Sequence, residues 1–148
     1  MEEREDMSYR ERVAWLSLLT MLLTFGPYFT LVAIEFFPDA KLPDFFQLFC
    51  YGVTAVSQAC LLGLGHLWLR RRFAQEAKAP LDELDLQIKQ RALSIAYYVL
   101  MTGMIMVGVV MPFTEQGWKI VNSALFMIIV AEVVQQSMVV LGYRRVAS

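Results

Sequence analysis

The sequence predicts an all-α membrane protein, a four-transmembrane antiparallel helical bundle built as a single domain over residues 1–148. Three observations predict it. Hydrophobic residues make up 57% of the chain, and mean hydropathy is +0.49, where a soluble domain would be about 45–50% apolar. Four apolar runs, at about 13–34, 45–69, 92–111 and 120–143, each reach the roughly 20 helical residues that cross the hydrocarbon core. Basic residues then gather at one end: Arg4, Arg10 and Arg12 before the first run, Arg70, Arg71, Arg72, Lys78, Lys89 and Arg91 in the 70–91 loop, and Arg144 and Arg145 after the fourth. Only Lys41 and Lys119 lie at the other end, so both termini are expected in the cytoplasm.

Span one follows a mixed acidic and basic segment, MEEREDMSYRER, that is unlike a cleaved secretory leader. Ser8 and Glu11 have capping-box spacing, so the helix should begin before the bilayer. Gly26-Pro27 should kink it in its outer half. Asp44 and Gln47, after Pro43, have the same capping spacing for span two. Pro80 with Asp82 and Glu83 marks the start of span three, with acids in the first turn. From there Leu81, Leu84, Ile88 and Arg91 share one face, and helix three should project two or three turns into the cytoplasm. Trp118 at one interface and Trp15, Trp68 and Tyr143 at the other read as aromatic anchors. The two cysteines, Cys50 and Cys60, both lie in span two, where their separation suits neither a disulfide nor a metal.

The halves resemble each other weakly. Arg10-Glu-Arg-Val-Ala14 aligns with Lys89-Gln-Arg-Ala-Leu93 at an offset of 79, and Leu67-Trp-Leu-Arg-Arg71 with Leu141-Gly-Tyr-Arg-Arg145 at an offset of 74. Any two membrane hairpins ending in arginines align comparably. A duplication would make two tandem helical hairpins related by an axis along the membrane normal, and would set Gln58 opposite Glu132.

Glu132 is the one ionisable residue inside the fourth run. A carboxylate at that depth costs about 2.5–3.5 kcal/mol on insertion scales. Polar residues elsewhere fall on helical stripes: Thr24 and Tyr28 in span one, Tyr51, Thr54 and Gln58 in span two, Gln135 and Gln136 beside Glu132. Hydrocarbon cannot satisfy these groups, so the stripes should converge inward. The plainer use of the Ser, Thr and Gln members is to join helices. Ala55, Ala59 and Gly63 form a small-residue ridge for close packing against another helix, in the same chain or in a second copy. With no lysine or arginine near Glu132, two readings stay open: a neutral, hydrogen-bonded acid, or a charged group served by water, a proton path or a cation. Gln58 is the expected partner.

No nucleophile–base pair, phosphate loop or CxxC occurs, so an enzyme is not expected, nor is direct nucleic-acid binding. His66 is the lone histidine, which excludes a bis-histidine haem and leaves a metal site without ligands. No cofactor is expected. The Arg70–Arg72 cluster reads as a topology signal at which anionic headgroups gather.

The segments DELDLQIKQRA (82–92), AYYVLM (96–101), AEVV (131–134) and YRR (143–145) make the second half similar to a bacterial group. Its members are short four-span inner-membrane proteins of unknown function, often encoded beside a small helix-turn-helix regulator. The resemblance covers about the last 70 residues and implies a bacterial inner-membrane protein without assigning an activity. In size and in having one membrane carboxylate the chain also resembles small multidrug transporters, whose glutamate lies in the first span rather than the fourth.

Two functions are therefore expected in competition. One is binding or transport of a small cationic or lipophilic molecule coupled to protonation of Glu132, with Gln58, Gln135, Gln136, Thr54, Tyr51, Thr24 and Tyr28 around it. The other is a membrane-embedded regulatory protein that docks a cytoplasmic partner on the 70–91 segment through Leu84 and Ile88, beside Arg70, Arg71 and Arg72. The bilayer, a second copy forming a homodimer, and a cytoplasmic regulator are the corresponding partners.

Overall fold

A computed structural model of the chain describes residues 7–37, 45–115 and 117–147. Five helices occur among them: α1 (Tyr9–Ala33), α2 (Phe45–Arg72), the short α3 (Ala74–Lys78), α4 (Glu83–Ile105) and α5 (Trp118–Ala147). Four are long and apolar enough to cross a membrane, α4 together with the turns that extend it to Phe113. The all-α four-helix bundle is the observed fold, and the protein is a multi-pass membrane protein.

Ser8 caps α1 by accepting from the Arg10 N–H at 3.3 Å. Glu11, expected to complete the box, is turned away to Arg144 of α5 at 3.2 Å. The helix runs unbroken through Pro27. It ends where the Phe36 N–H reaches back to the Leu31 carbonyl at 3.0 Å, with Glu35 left-handed at φ 54°. Asp44 lies outside the described residues, and its expected cap with it. Helix α2 continues through Arg72, and α3 occupies part of the segment read from sequence as loop. Asp82 and Asp85 close a reciprocal capping box at the start of α4.

Span three does not end as a plain α-helix. After Ile105 the backbone widens into a π turn over Met106–Val110 and then tightens to a 3-10 turn over Met111–Phe113. Pro112 explains the change: it has no N–H to donate, and its ring would meet the carbonyl four residues earlier. The wider turn, closed by the Met111 N–H on the Met106 carbonyl, absorbs the misfit.

Contacts fix the directions. Gln58 meets Thr20 and Thr24 while Tyr51 meets Tyr28, so α1 and α2 are antiparallel. Glu11 meets Arg144 and Tyr28 meets Asn122, so α1 and α5 are antiparallel. Ile88 faces Gly142 and Gly103 faces Met127, giving the same relation for α4 and α5. The substantial helix pairs are α1 with α2, α1 with α5, and α4 with α5. The neighbours thus run α2–α1–α5–α4, and α2 has no substantial contact with α4 or α5. A two-fold duplication would map the α1–α5 seam onto one between α4 and α2, so the packing does not carry that symmetry.

The core sits at the end bearing the basic clusters. Ala14, Leu18, Ile88, Ala92, Val139 and Val140 form it, with Trp15, Val133, Met138 and Tyr143 packed against it. Two of the expected aromatic anchors therefore turn inward. Arg144 stacks over Trp15 at 5.5 Å, and the Tyr143 hydroxyl donates to Asp85 at 2.6 Å. Trp68 stays exposed, beneath the Arg72 guanidinium at 5.6 Å. Along α2 the outward side chains, Phe45, Phe49, Val53, Val56, Leu64 and Leu67 among them, are exposed, as a lipid-facing wall requires.

Candidate functional site

The residues expected to converge are divided among three places. At mid-depth, Gln58 of α2 is buried against α1, where the Thr24 hydroxyl donates to its carbonyl at 3.0 Å and its amide donates to the Thr20 hydroxyl at 3.2 Å. The Thr20 hydroxyl in turn donates to the Leu16 carbonyl at 2.9 Å, and the single Thr24 proton is shared between Gln58 and the Thr20 carbonyl, also at 2.9 Å. Every polar atom here has a protein partner, so this cluster joins two helices. Gln58→Leu should cost about 0.6–1.7 kcal/mol of stability, the range for such bonds in membranes. Unfolding in mixed micelles measures it, and an unchanged midpoint would show the three side chains to be spectators.

Toward the other end, α1, α2 and α5 meet around Tyr28. Its hydroxyl donates to the Asn122 carbonyl oxygen at 3.0 Å. Its ring packs edge-on to Tyr51 at 5.6 Å, and Gln47 lies within hydrogen-bonding reach of it. Gln47 and Asn122 are both buried. Asn122 was missed from sequence because it lies at the rim of the fourth run, where a polar residue costs little. Thr54 is not part of either cluster; its hydroxyl donates to the Cys50 carbonyl of its own helix at 2.9 Å.

Glu132 stands apart from both. Its side chain is exposed on α5, and it has no hydrogen bond or ion pair among the described residues. The expected bond to Gln58 is absent. Its depth nevertheless agrees with the sequence reading. The α1–α5 pairs Tyr28–Asn122 and Glu11–Arg144 bracket it, which sets Glu132 level with Thr20 and hence with Gln58. The rotation of α5 is what differs. Asn122 and Val140 face α1 and Gly142 faces α4, so α5 is held on two sides and Glu132 projects from the edge between them. Gln135 and Gln136, half-buried on the adjoining turn, likewise have no side-chain hydrogen bond among the described residues.

The segment expected to dock a partner is also altered. Arg70, Arg71, Arg72 and Leu84 are exposed, but Ile88 is buried against Gly142 and belongs to the core. What sequence reading missed is Asp85. Its carboxylate pairs with Arg10 of α1, accepts from Tyr143 of α5 at 2.6 Å and from the Asp82 N–H at 3.0 Å. The Asp82/Asp85 spacing was the available signal, a third capping-box spacing that includes the first-turn acids already noticed.

Among the described residues no group of three or more His, Cys, Asp or Glu is placed to hold a metal ion. Compared with family models, curated proteins and solved structures, the chain matches none.

Proposed function

We propose that the chain is a small protein of a bacterial inner membrane, with both termini in the cytoplasm, that binds or transports a small cationic or lipophilic molecule in exchange for a proton on Glu132. The observation that carries this reading is the exposed, unpartnered carboxyl at mid-depth on an apolar helix. Hydrocarbon tolerates such a group only when it is neutral, or when a cation or another protein surface covers it. A neutral acid that gives up its proton as a cation arrives meets both conditions in turn. The site then opens on the outer wall of α5, reached from the bilayer or enclosed by a second copy, rather than lying in a closed interior.

Glu132→Gln should abolish pH-dependent binding or uptake of a lipophilic cation in reconstituted vesicles, while leaving helicity and unfolding unchanged. Equal uptake by the two proteins, from mildly acid to mildly alkaline pH, would refute the reading.

The competing proposal is a regulatory membrane protein that docks a cytoplasmic partner on the 70–91 segment. It is favoured by Leu81, Leu84 and Leu86, which are 50%, 39% and 43% exposed near α3. Under that reading Glu132→Gln is silent, and Leu84→Asp loses the partner without disturbing insertion.

A further inference from the structure

At the basic end a cleft of about 440 Å³ is lined by Tyr9, Gly63, His66, Leu67, Arg70 and Ala77. It is separate from the Glu132 site, and it shares only Arg70 and Ala77 with the 70–91 segment of the competing reading. His66 and Arg70 are one turn apart on α2 and share a face. Gly63 precedes His66 by three residues and Arg70 by seven, and a Cβ built there meets nothing within 4 Å, so the glycine leaves open space beside the two polar groups. Tyr9, from the first turn of α1, is held at the rim by its backbone N–H on the Glu76 carboxylate at 3.2 Å. The side chains of Tyr9, His66 and Arg70 make no hydrogen bond or ion pair with any described residue.

Three donors thus line one space and find no acceptor among the described residues. Within α2 and α3 the described charges beside the cleft are mostly basic: Arg71 and Arg72 adjoin Arg70 and Lys78 ends α3, against the acid Glu76. The C-terminal dipole of α2 contributes only about half a negative charge, less than the three guanidiniums.

We propose that this cleft binds the phosphate headgroup of an anionic membrane lipid. Arg70 and His66 donate to the phosphoryl oxygens, the Tyr9 hydroxyl supplies a third donor, and the acyl chains leave past Gly63 and Leu67 along α2. The floor of the cleft selects a lipid over a soluble phosphate. Gly63 and Leu67 belong to the apolar stretch of a membrane-spanning helix, and Leu61, Leu64 and Leu67 beside them are exposed. A water-soluble anion would leave that apolar floor uncovered, whereas an acyl chain covers it.

The test uses the full chain in micelles doped with equal amounts of phosphatidylglycerol and phosphatidylcholine, with retained lipid counted by native mass spectrometry. The wild type should retain phosphatidylglycerol at least about fivefold over phosphatidylcholine, the preference that one well-placed basic residue supplies near a membrane surface. Arg70→Gln should bring the ratio close to unity. Gly63→Leu, which fills the cleft without altering charge, should do the same, with unchanged helicity showing that the fold is kept. Arg71→Gln removes the same charge from a residue that does not line the cleft, and should leave the preference intact. Equal losses from Arg70→Gln and Arg71→Gln would reduce the effect to diffuse surface charge and overturn the proposal. So would full retention by Gly63→Leu, or displacement of the lipid by an equal concentration of soluble glycerol phosphate. A wild type that retains no lipid but forms a dimer abolished by Gly63→Leu would overturn it as well, assigning the face to a second copy.

Discussion

Asp85→Ala should destabilise the protein by about 3 kcal/mol, the lower end of the range for removing one partner of a buried ion pair. The lower end applies because the Arg10 side chain is 24% exposed and the Asp85 side chain 10%. The substitution acts on three helices at once. It leaves the Arg10 guanidinium uncompensated at the start of α1, removes the acceptor of the Tyr143 hydroxyl on α5, and opens the capping box of α4. Arg10 keeps its bonds to the Ala79 and Pro80 carbonyls, at 3.3 and 3.1 Å, so the loss is one of charge rather than of all contact. Asp85→Asn separates the contributions, since an amide still accepts from Tyr143 and still caps α4 but carries no charge. Its unfolding free energy in mixed micelles should lie between the other two proteins. An asparagine variant as stable as wild type would show that the ion pair adds nothing beyond the hydrogen bonds.

Gly142→Leu should separate α4 from α5 at their basic end. A Cβ at this position would lie 2.6 Å from Ile88 Cγ2 and 3.2 Å from Cγ1. Isoleucine is stiff at χ1 and buried, so it cannot swing aside as a long unbranched side chain would. Overpacking of this kind costs about 1–3 kcal/mol for a small addition, and a leucine exceeds that range because the whole side chain must be housed. The pairing identifies its own suppressor. Ile88→Ala alone should destabilise by emptying the contact, yet combined with Gly142→Leu it should restore much of the stability, a non-additive result expected only for residues in direct contact. Simple addition of the two effects would mean that the helices are not apposed at this level. Gly103 makes a second such contact with α5: there the added Cβ meets Met127, whose Cγ at 2.8 Å and Cβ at 3.1 Å lie close to the backbone.

Length and periodicity made the four spans legible, because a membrane helix declares itself by a run too long for any other use. Boundaries were legible wherever a cap or a proline set them, as at Ser8 and Asp82. Near Pro112 the proline was visible, but the π turn that accommodates it depends on how the backbone relaxes, which no local pattern states. For the candidate site, depth was legible and direction was not. Counting along α5 sets Glu132 level with Gln58, and the structure agrees. The rotation of α5 is decided elsewhere, by the close approach of Gly142 to Ile88 and by the bonds of Asn122 and Arg144 to α1. These contacts join residues 54 to 133 positions apart in sequence, and a polar stripe read from one helix contains none of them. The assumption that polar residues converge held for Gln58, Thr24 and Tyr28, each of which found a neutral partner. It failed for Glu132, and with it for Gln135, Gln136 and Thr54.

The open row α2–α1–α5–α4 has a consequence for biosynthesis. As the chain emerges, α1 meets α2 first, and Gln58 can engage Thr20 and Thr24 before anything further has been made. Tyr28, Glu11 and Arg10 must wait, because Asn122, Arg144 and Asp85 lie far downstream. Arg10 finds Asp85 once α4 is made, but until α5 is threaded in beside α1 the seam holds the Tyr28 hydroxyl and the Glu11 carboxylate without their α5 mates. Synthesis of α5 is therefore the event that closes the molecule, and a chain stopped before it carries an unfinished polar edge on α1.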